Sequence, residues 1–320
     1  MSEKYSRADM VANGEYESMT RIYRLQPSFC PEPFAYGWVN DETPKSLLPD
    51  NVNPKVVEGG GYYISEYADF VFRLGDADET GGIPDGDTKR KTAIMEKFCK
   101  MLVTLHTGRG TDNIQVTKFG LDTYTYVGLM VQQNEPSTSW RVLFQKDLLT
   151  LKFHILQIGT HGGSMNEGLK NELHQAYEEM VKLKVIEMLL DDLREPDGGP
   201  LKPRLLHGDL RCGNTALARG DSGDKSPRPV VFNACSFYGH NEYELGNWVL
   251  ERNNLKNYIP MYLKAYGGKC RPTEKFDLRL QLYSIRFNLQ SAVLFPTQDK
   301  YLRMAINDMN DLLDKVGRKH

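Results

Sequence analysis

The residues of this chain whose types and spacing could do chemistry are concentrated between Leu205 and Asn233. The segment reads LLHGDLRCGN from Leu205, with a carboxylate at Asp209 and an amide five residues later at Asn214. A carboxylate on a rigid loop can accept a proton from a hydroxyl or an amine and orient that group for reaction. An amide oxygen can serve as one of the oxygen ligands of Mg²⁺. We therefore take Asp209 as the candidate acid/base and Asn214 as a candidate metal ligand.

A phosphoryl-transfer site of this kind needs one more polar group after a short hairpin. In protein kinases that group is an Asp, which binds the metal that bridges the phosphates. Here Val230, Val231 and Phe232 lead into the corresponding position, which holds Asn233. Mg²⁺ strongly prefers carboxylates and phosphate oxygens, so a neutral Asn should weaken the metal complex. The sequence predicts a weak or absent metal site at Asn214 and Asn233, and the alternative role for Asn233 is that of a turn residue.

The residues that follow Asn233 carry a resemblance to a known family. Ser236 to Leu245 read SFYGHNEYEL. With the HGDLRCGN segment, they resemble the fructosamine kinase (ketosamine-3-kinase) family, whose members carry HGDLWxGN and a signature close to SFYGHxEYEL. Arg211 and Cys212 replace a Trp and a small residue of that pattern, and Asn233-Ala234 replaces Asp-Pro. Weaker similarity extends over nearly the whole chain.

The resemblance implies an α+β, protein-kinase-like fold with two lobes. We expect a reduced N-terminal β lobe at residues 1–70 and a large helical C-terminal lobe at residues 71–320, which carries the catalytic-loop-like segment 205–245. The ligand should occupy the cleft of the helical lobe, with Asp209 as its catalytic group. The candidate substrate-binding residues are His207, Asn214, Asn233, Tyr238, His240, Glu242 and Trp140.

The nucleotide side of the expected site is incomplete in the sequence. Kinase-like folds use a Gly-rich loop, a strand Lys and a helix Glu to hold the phosphates. Glu15 matches the position of the helix Glu, and Lys4 and Glu66 are the other candidates for nucleotide contacts. Only fourteen residues precede Glu15, which leaves no space for two strands and a Gly-rich loop. We therefore expect ATP phosphotransfer to be impaired or lost.

Three hypotheses for function follow from these residues. In the first, a fructosamine-kinase-like enzyme has been repurposed for another reaction on a small organic molecule, with Asp209 as acid/base and without a cofactor. The second is an active ATP-dependent ketosamine or small-molecule kinase that uses Mg²⁺, with Glu242 or Glu244 in place of the missing carboxylate. The third is a catalytically inactive pseudokinase that binds a ligand or partner. A nucleophilic thiolate at Cys212 or Cys235 is a further alternative.

Composition restricts the class of partner. The 320 residues, 40% of them hydrophobic, suffice for a large core, and the formal charge of −2 lacks the basic excess that nucleic acid or acidic membranes require. The five cysteines are scattered and form no CxxC pairs, as expected of reduced thiols. No apolar run could span a bilayer, and the polar opening is unlike a signal peptide, so we expect a cytoplasmic protein. A small-molecule substrate is the expected partner, and the oligomeric state is left open.

Hydrophobic periodicity predicts the elements that must position these groups. Apolar residues at helical spacing, with Pro and Gly stops, predict helices at 14–23, 89–106 and 166–193 and mostly helical structure at 243–266 and 276–316. Aromatic and β-branched residues predict strands at 34–39 and 61–67. Polar stretches rich in Pro, Gly or Asn predict loops at 41–54 and 75–87.

Overall fold

The structure is a computed structural model that describes residues 7–38, 60–74, 88–108, 116–157, 165–219 and 227–317. The predicted loops at 41–54 and 75–87 lie outside the described residues, as does Lys4. Within the described residues, no helix is both long enough and apolar enough to cross a membrane.

Long helices and several small antiparallel sheets make up the described chain. The helices are α1 (Arg7–Leu25), α2 (Thr88–Thr107), α3 (Trp140–Gln157), α4 (Glu167–Lys182), α5 (Val185–Leu190), α6 (Glu242–Trp248), α7 (Ile259–Tyr266), α8 (Phe276–Leu294) and α9 (Asp299–Val316). The strands are β1 (Pro33–Trp38), β2 (Gly61–Ser65), β3 (Phe70–Arg73), β4 (Tyr126–Val127), β5 (Met130–Val131), β6 (Arg204–Leu206), β7 (Thr215–Ala218), β8 (Arg228–Val231) and β9 (Phe237–Gly239). The content is α+β, as the sequence predicted.

The N-terminal part is one helix packed on a two-stranded sheet. β1 and β2 pair antiparallel, with Tyr36 opposite Tyr63, and α1 lies against both strands. The buried face of α1 carries Met19 and Ile22, which pack with residues of α2 and of the segment that follows β8. The sheet is therefore attached to the helical part through α1.

The helical part is built around α8. This helix is buried on nearly all sides and packs against α9, α6 and α3. Two of its buried residues are arginines: Arg279 pairs with Glu242, and Arg286 pairs with Asp147. A buried charge is tolerated when it is paired and hydrogen-bonded, so these pairs allow a polar helix to occupy the centre of the fold.

Two of the small sheets carry the residues of interest. β7 and β8 form a hairpin that β3 extends, and β6 pairs antiparallel with β9. The predicted catalytic segment leaves β6 and enters β7, so both sheets hold it. Because β3 begins at Phe70 and pairs with β7, it belongs structurally to the helical part, whose β7–β8 hairpin it extends. The lobe boundary at residue 70 stays a prediction that this pairing favours.

Most predicted elements are present, with different ends. The helix predicted at 89–106 is α2, and the strands predicted at 34–39 and 61–67 are β1 and β2. The single helix predicted at 166–193 is wrong, because the chain forms α4 and α5 with Lys184 between them at φ 52°. A non-glycine residue with positive φ ends a helix, and apolar spacing does not reveal such a break. The start was correct: Asn166 caps α4 through its side-chain oxygen, which accepts from Gly168 and Leu169.

Candidate active site

The loop after β6 turns sharply at Gly208. This residue has φ 92°, and a Cβ there would collide with the carbonyl oxygen of Cys235. Only glycine fits this combination of positive φ and close backbone approach. The turn brings the loop against the segment after β8, and the backbone N–H of Cys235 donates to the carbonyl oxygen of His207 at 2.9 Å.

His207 connects the two segments with its imidazole. Its Nε2 lies 3.0 Å from the carbonyl oxygen of Phe232, and its Nδ1 lies 3.3 Å from the backbone N–H of Asp209. A carbonyl only accepts and an N–H only donates, so the ring carries its proton on Nε2. Burial lowers the pKa of His207 to about 4. The ring is therefore neutral at physiological pH. Its hydrogen bonds hold the two segments together, and it has no role in proton transfer.

Asp209 is held by donors on both carboxylate oxygens. Asn214 donates from Nδ2 to Oδ2 at 3.1 Å, and Asn247 donates to Oδ1 at 3.2 Å. Arg211 lies on the more exposed side, with Nε 3.4 Å from Oδ2. Burial raises the pKa of Asp209 above its ordinary 3.8, while the charges of Arg211 and Arg286 oppose that rise. The result is a fixed, desolvated carboxylate with one adjacent guanidinium, which suits a base that orients a hydroxyl.

The β7–β8 hairpin brings Asn214 next to Asn233. The backbone N–H of Phe232 donates to the carbonyl oxygen of Asn214 at 3.1 Å, and the two side-chain amides approach to 3.5 Å. Asn233 has φ 57°, a conformation in which Asn is several-fold enriched among non-glycine residues. The predicted metal ligands are thus adjacent in space.

The donor set around Asn233 suits a metal ion only in part. Asn214 and Asn233 offer amide oxygens and Asp209 offers a carboxylate, whereas Mg²⁺ in proteins usually binds one or two carboxylates together with phosphate oxygens. Glu242 and Glu244, the suggested replacements, are both 0% exposed. The side chains therefore fit a Mg²⁺ ion that receives most of its ligands from bound phosphates, and they do not form a metal site by themselves.

An open cleft of about 640 Å³ lies beside Asn233. Its lining residues include Glu15 of α1, Tyr63 of β2 and Glu66 just after β2, together with Phe232 and Asn233 from the segment after β8. Burial raises the pKa of Glu15. The carboxylate of Glu66 accepts from the backbone N–H of Glu32 at 3.1 Å, which fixes the segment after β2. Two of the three predicted nucleotide-side residues therefore line one cleft together with Asn233.

Four predicted substrate-binding residues lie elsewhere. Trp140 is buried in the core and donates to the hydroxyl of Tyr283 at 2.9 Å. His240 bonds to the same hydroxyl at 2.8 Å and is 0% exposed. Tyr238 is half-buried and lines a different cavity. Because Trp140 and His240 are both buried and bonded to the same tyrosine hydroxyl, we assign both a supporting position.

Glu242 is the fourth, and its carboxylate is fully used inside the protein. Arg279 donates to both of its oxygens at 2.7 and 3.1 Å, and the backbone N–H of Cys270 donates at 2.8 Å. His240, Glu242 and Cys270 place potential metal-binding atoms within 4.8 Å of one another. A cation there would have to displace the Arg279 guanidinium, so the cluster is explained by the ion pair.

Sequence reasoning missed Asn247 and the role of Glu244. Asn247 lies on α6 and fixes Asp209, and its own Oδ1 accepts from Asn253 at 2.8 Å. Glu244 accepts from the backbone N–H of Gly208 at 2.7 Å and supports the turn of the loop. Both follow the SFYGH stretch within α6, but nothing local marks them, because their partners lie 36 and 38 residues away. The thiolate alternative at Cys235 is disfavoured, since burial raises the pKa of that thiol well above its ordinary value.

A fixed Asp and Asn on one loop, tied to a hairpin segment beside an interlobe cleft, define the protein-kinase-like class of phosphotransferase folds. The fold is similar to that of a thermostable mutant of the aminoglycoside phosphotransferase APH(4)-Ia in its apo form, with a TM-score of 0.58 over 97% of this chain and 86% of that one, at 15% identity. The predicted α+β, protein-kinase-like fold is confirmed.

The family model for fructosamine kinase matches residues 85–315, and the chain belongs to this family. It is 28% identical to mouse ketosamine-3-kinase (Mus musculus) over 238 residues, 72% of this chain and 67% of that protein. It is also 28% identical to the chloroplastic protein-ribulosamine 3-kinase of Arabidopsis thaliana over 251 residues, 78% of this chain and 62% of the relative. The chain thus spans about two thirds of the length of these relatives. The predicted family membership is confirmed.

Proposed function

We propose that this protein is an ATP-dependent kinase that phosphorylates a hydroxyl group of a small, sugar-derived amine of the ketosamine type. The observation that carries the proposal is the intact acceptor side of the site, in which Asn214 and Asn247 hold the carboxylate of Asp209 from both sides. The relatives named as ketosamine and ribulosamine kinases support the substrate class. We therefore prefer the hypothesis of an active kinase to that of a repurposed enzyme, which the sequence alone favoured.

In this proposal the residues of the loop act on the acceptor hydroxyl. Asp209 accepts a hydrogen bond from that hydroxyl and points its oxygen at the γ-phosphorus of ATP. As the new O–P bond forms and the bond to the β-phosphate oxygen breaks, the hydroxyl proton passes to Asp209 and ADP leaves. His207 holds the loop against the Asn233 segment throughout. Arg211 places a positive charge next to Asp209, where the transferred phosphoryl group gathers negative charge.

The cleft beside Asn233 is the proposed nucleotide site. Glu15 and Glu66 line it from the N-terminal part of the chain, and the rings of Phe70 and Phe232, which also line it, stack at 4.9 Å between their centres. The proposed reaction requires ATP and Mg²⁺, whereas the sequence alone led us to expect no cofactor. Mg²⁺ entering with the phosphates would neutralise their charge, with Asn214 and Asn233 as the amide ligands on the protein. The partner is a small molecule, and a cytoplasmic location stays a prediction.

The neutral residue at position 233 favours one second candidate. A protein that binds a ketosamine in the same pocket without efficient phosphotransfer would also keep Asp209, Asn214 and Asn247 in place while tolerating Asn233. In that case the loop would serve binding or another acid/base reaction. The repurposed enzyme and the pseudokinase of the sequence hypotheses are both forms of this candidate.

One experiment separates the two candidates. The purified protein is incubated with ATP, Mg²⁺ and a fructose-derived or ribose-derived ketosamine of lysine, and both ADP and the phosphorylated amine are quantified. We expect ketosamine-dependent ADP formation in equal amounts with the phosphorylated product, and its loss in Asp209→Asn. Saturable ketosamine binding by calorimetry, without any ADP above the Asp209→Asn background, would reject the kinase and favour the second candidate.

A further inference from the structure

A further cavity, of about 580 Å³, lies in the helical part and shares no lining residue with the proposed nucleotide cleft. Its walls come from the segment that follows α6, from one face of α8 and from the middle of α9. The volume falls in the range of small-molecule sites, roughly 300–1,000 Å³. The proposed reaction places the acceptor hydroxyl at Asp209 and assigns no residue to the rest of the acceptor, so this cavity is a candidate for that part.

The cavity adjoins the catalytic loop through the segment after α6. Asn253 donates from Nδ2 to Oδ1 of Asn247 at 2.8 Å, and Asn247 in turn donates to Oδ1 of Asp209. Arg252, the residue before Asn253, lines the cavity, and its carbonyl oxygen lies 3.9 Å from Sγ of Cys212 on the loop. Burial lowers the pKa of Arg252, and the charge of Asp209 opposes this effect. A ligand held by Arg252 would therefore lie beside the proposed base.

The guanidinium of Arg252 is oriented by neutral groups. It donates to Oδ1 of Asn288 at 2.7 Å and to Oγ of Ser291 at 3.3 Å, and it lies over the ring of Tyr301. None of these groups is a carboxylate. A guanidinium has more N–H donors than these two hydrogen bonds use, so Arg252 keeps donors for an anion that enters the cavity.

Asp308 lines the cavity from α9 and is likewise bonded to a neutral group. Its Oδ2 accepts from Nδ2 of Asn288 at 2.9 Å, whereas its Oδ1 has no donor among the described residues. Burial raises the pKa of Asp308 above its ordinary 3.8. A carboxylate that is partly desolvated and has no bonded cation is stabilised when an ammonium group of a ligand comes next to it.

Asn288 holds these two opposite charges apart. Its side chain is 1% exposed, and it bonds to both groups, so Arg252 and Asp308 share one amide instead of forming an ion pair with each other. A site for an anion and a site for a cation thus lie side by side on the wall of one cavity. The other charged lining residues are exposed, and their net negative charge favours a ligand that carries an ammonium group: Glu251, Lys256, Asp277 and Asp311.

We propose that this cavity recognises the amino-acid end of the acceptor, a ketosamine with a free carboxylate beside its secondary ammonium group. Arg252 binds the carboxylate and Asp308 binds the ammonium, while a hydroxyl of the sugar reaches Asp209. This recognition rests on the proposed function, and it narrows the substrate class to ketosamines of free amino acids. Both contacts are charge-assisted hydrogen bonds, which are roughly twice as strong as neutral ones.

The test measures ligand binding by calorimetry in the absence of ATP. The ligands are the fructose-derived ketosamine of glycine and the same compound with its carboxylate converted to an amide. Both are measured with the wild type, Arg252→Gln and Asp308→Asn. The matched controls are Arg303→Gln and Asp192→Asn, which remove one exposed charge of each sign outside the cavity lining. A fold check by circular dichroism accompanies each protein.

We expect the wild type and the controls to bind the carboxylate form about tenfold more tightly than the amide, because the amide loses one charge-assisted contact. Arg252→Gln should lose this preference and keep its affinity for the amide, whereas Asp308→Asn should bind both ligands more weakly. Equal binding of the two ligands by the wild type, or binding of neither, would overturn the proposal. An equal loss of both ligands in Arg252→Gln would also overturn it, because Arg252 would then only support the fold.

Turnover of the same two ligands distinguishes this site from the proposed reaction. A preference for the carboxylate form in binding, without ADP formation from ATP, would reject the kinase and leave the recognition site in place. ADP formation with equal kcat/KM for the two ligands would support the kinase and reject the amino-acid site.

Discussion

The Nε2 of His207 donates a hydrogen bond to the carbonyl oxygen of Phe232 across 3.0 Å, and this contact joins the two halves of the site. One half carries Asp209 and the other carries Asn233. His207→Ala would leave the buried carbonyl without its donor, which typically costs about 1–3 kcal/mol. We expect that loss in the free energy of unfolding by chemical denaturation, with a larger loss of activity as the halves separate. Unchanged stability would show that the contact does not hold the segments together.

Asp209→Asn tests the base directly. The amide keeps the shape of the carboxylate and can still accept one hydrogen bond from Asn214 or Asn247, but it cannot take a proton. We expect the melting temperature to change little and turnover to fall by about 10²–10⁴. Full turnover in a folded Asp209→Asn protein would remove this residue from the mechanism.

Arg211 should set the acid limit of activity through its effect on Asp209. Burial raises the pKa of Asp209, and the charge of Arg211 opposes this rise. The base works deprotonated, so activity falls as pH drops through that pKa. In Arg211→Gln the pKa should rise further, and the acid limb of the kcat/KM profile should move to higher pH. Arg219→Gln, which removes an exposed arginine paired with Asp69, is the control and should leave the limb in place.

The sequence predicted the part of the site whose residues are close together along the chain. Asp209 and Asn214 lie on one loop, and the hairpin up to Asn233 is short, so the resemblance of this segment to a kinase catalytic loop was enough to predict that they would meet. The same holds for α2, whose apolar spacing is uninterrupted. The order of residues along one loop or helix largely determines such neighbours.

Contacts between distant segments could not be predicted in this way. His240 and Glu242 looked like ligand groups because they lie within a family signature, but Tyr283 and Arg279 on α8 bind their side chains. Asn247 was missed for the converse reason, since its contact with Asp209 depends on how α6 packs beneath the loop. The sequence does not distinguish a polar residue that is buried and hydrogen-bonded within the protein from one that binds a ligand. Only the contacts in the folded structure make that distinction.

Asn233→Asp should strengthen Mg²⁺ binding in the presence of nucleotide. The change adds a carboxylate next to Asn214 in a backbone conformation that Asp also tolerates. We expect the Mg²⁺ concentration for half-maximal activity to fall about tenfold, which corresponds to about 1.4 kcal/mol. Asn233→Ala is the matched control and should raise it. Equal Mg²⁺ dependence in all three proteins would show that residue 233 does not contact the metal.

Glu244 should make the stability of the fold depend on pH in a defined window. Its side chain is 0% exposed; one oxygen accepts from Gly208 and the other has no partner among the described residues. Burial, with the charge of Asp209 adding to it, raises the pKa of Glu244 from its ordinary 4.5 to about 8. At neutral pH the folded protein therefore keeps this carboxyl protonated, while the unfolded chain releases the proton.

The sign of the effect follows from proton linkage. Between the unfolded value of 4.5 and the folded value of about 8, the folded state binds one proton more than the unfolded state, so stability falls as pH rises. The slope contributed by this one group is at most about 1.4 kcal/mol per pH unit, and it vanishes above the folded value. The stabilising contribution is complete below the unfolded value.

Glu244→Gln isolates this contribution, because Gln stays neutral at every pH and can still accept from Gly208. We expect unfolding free energies, measured from about pH 5 to about pH 9, to decline less steeply in Glu244→Gln than in the wild type. Glu251→Gln, at an exposed carboxylate, is the control and should run parallel to the wild type. Parallel curves for Glu244→Gln would mean that Glu244 is ionised in the folded protein. The turn at Gly208 would then be held by a charged acceptor instead of a neutral one.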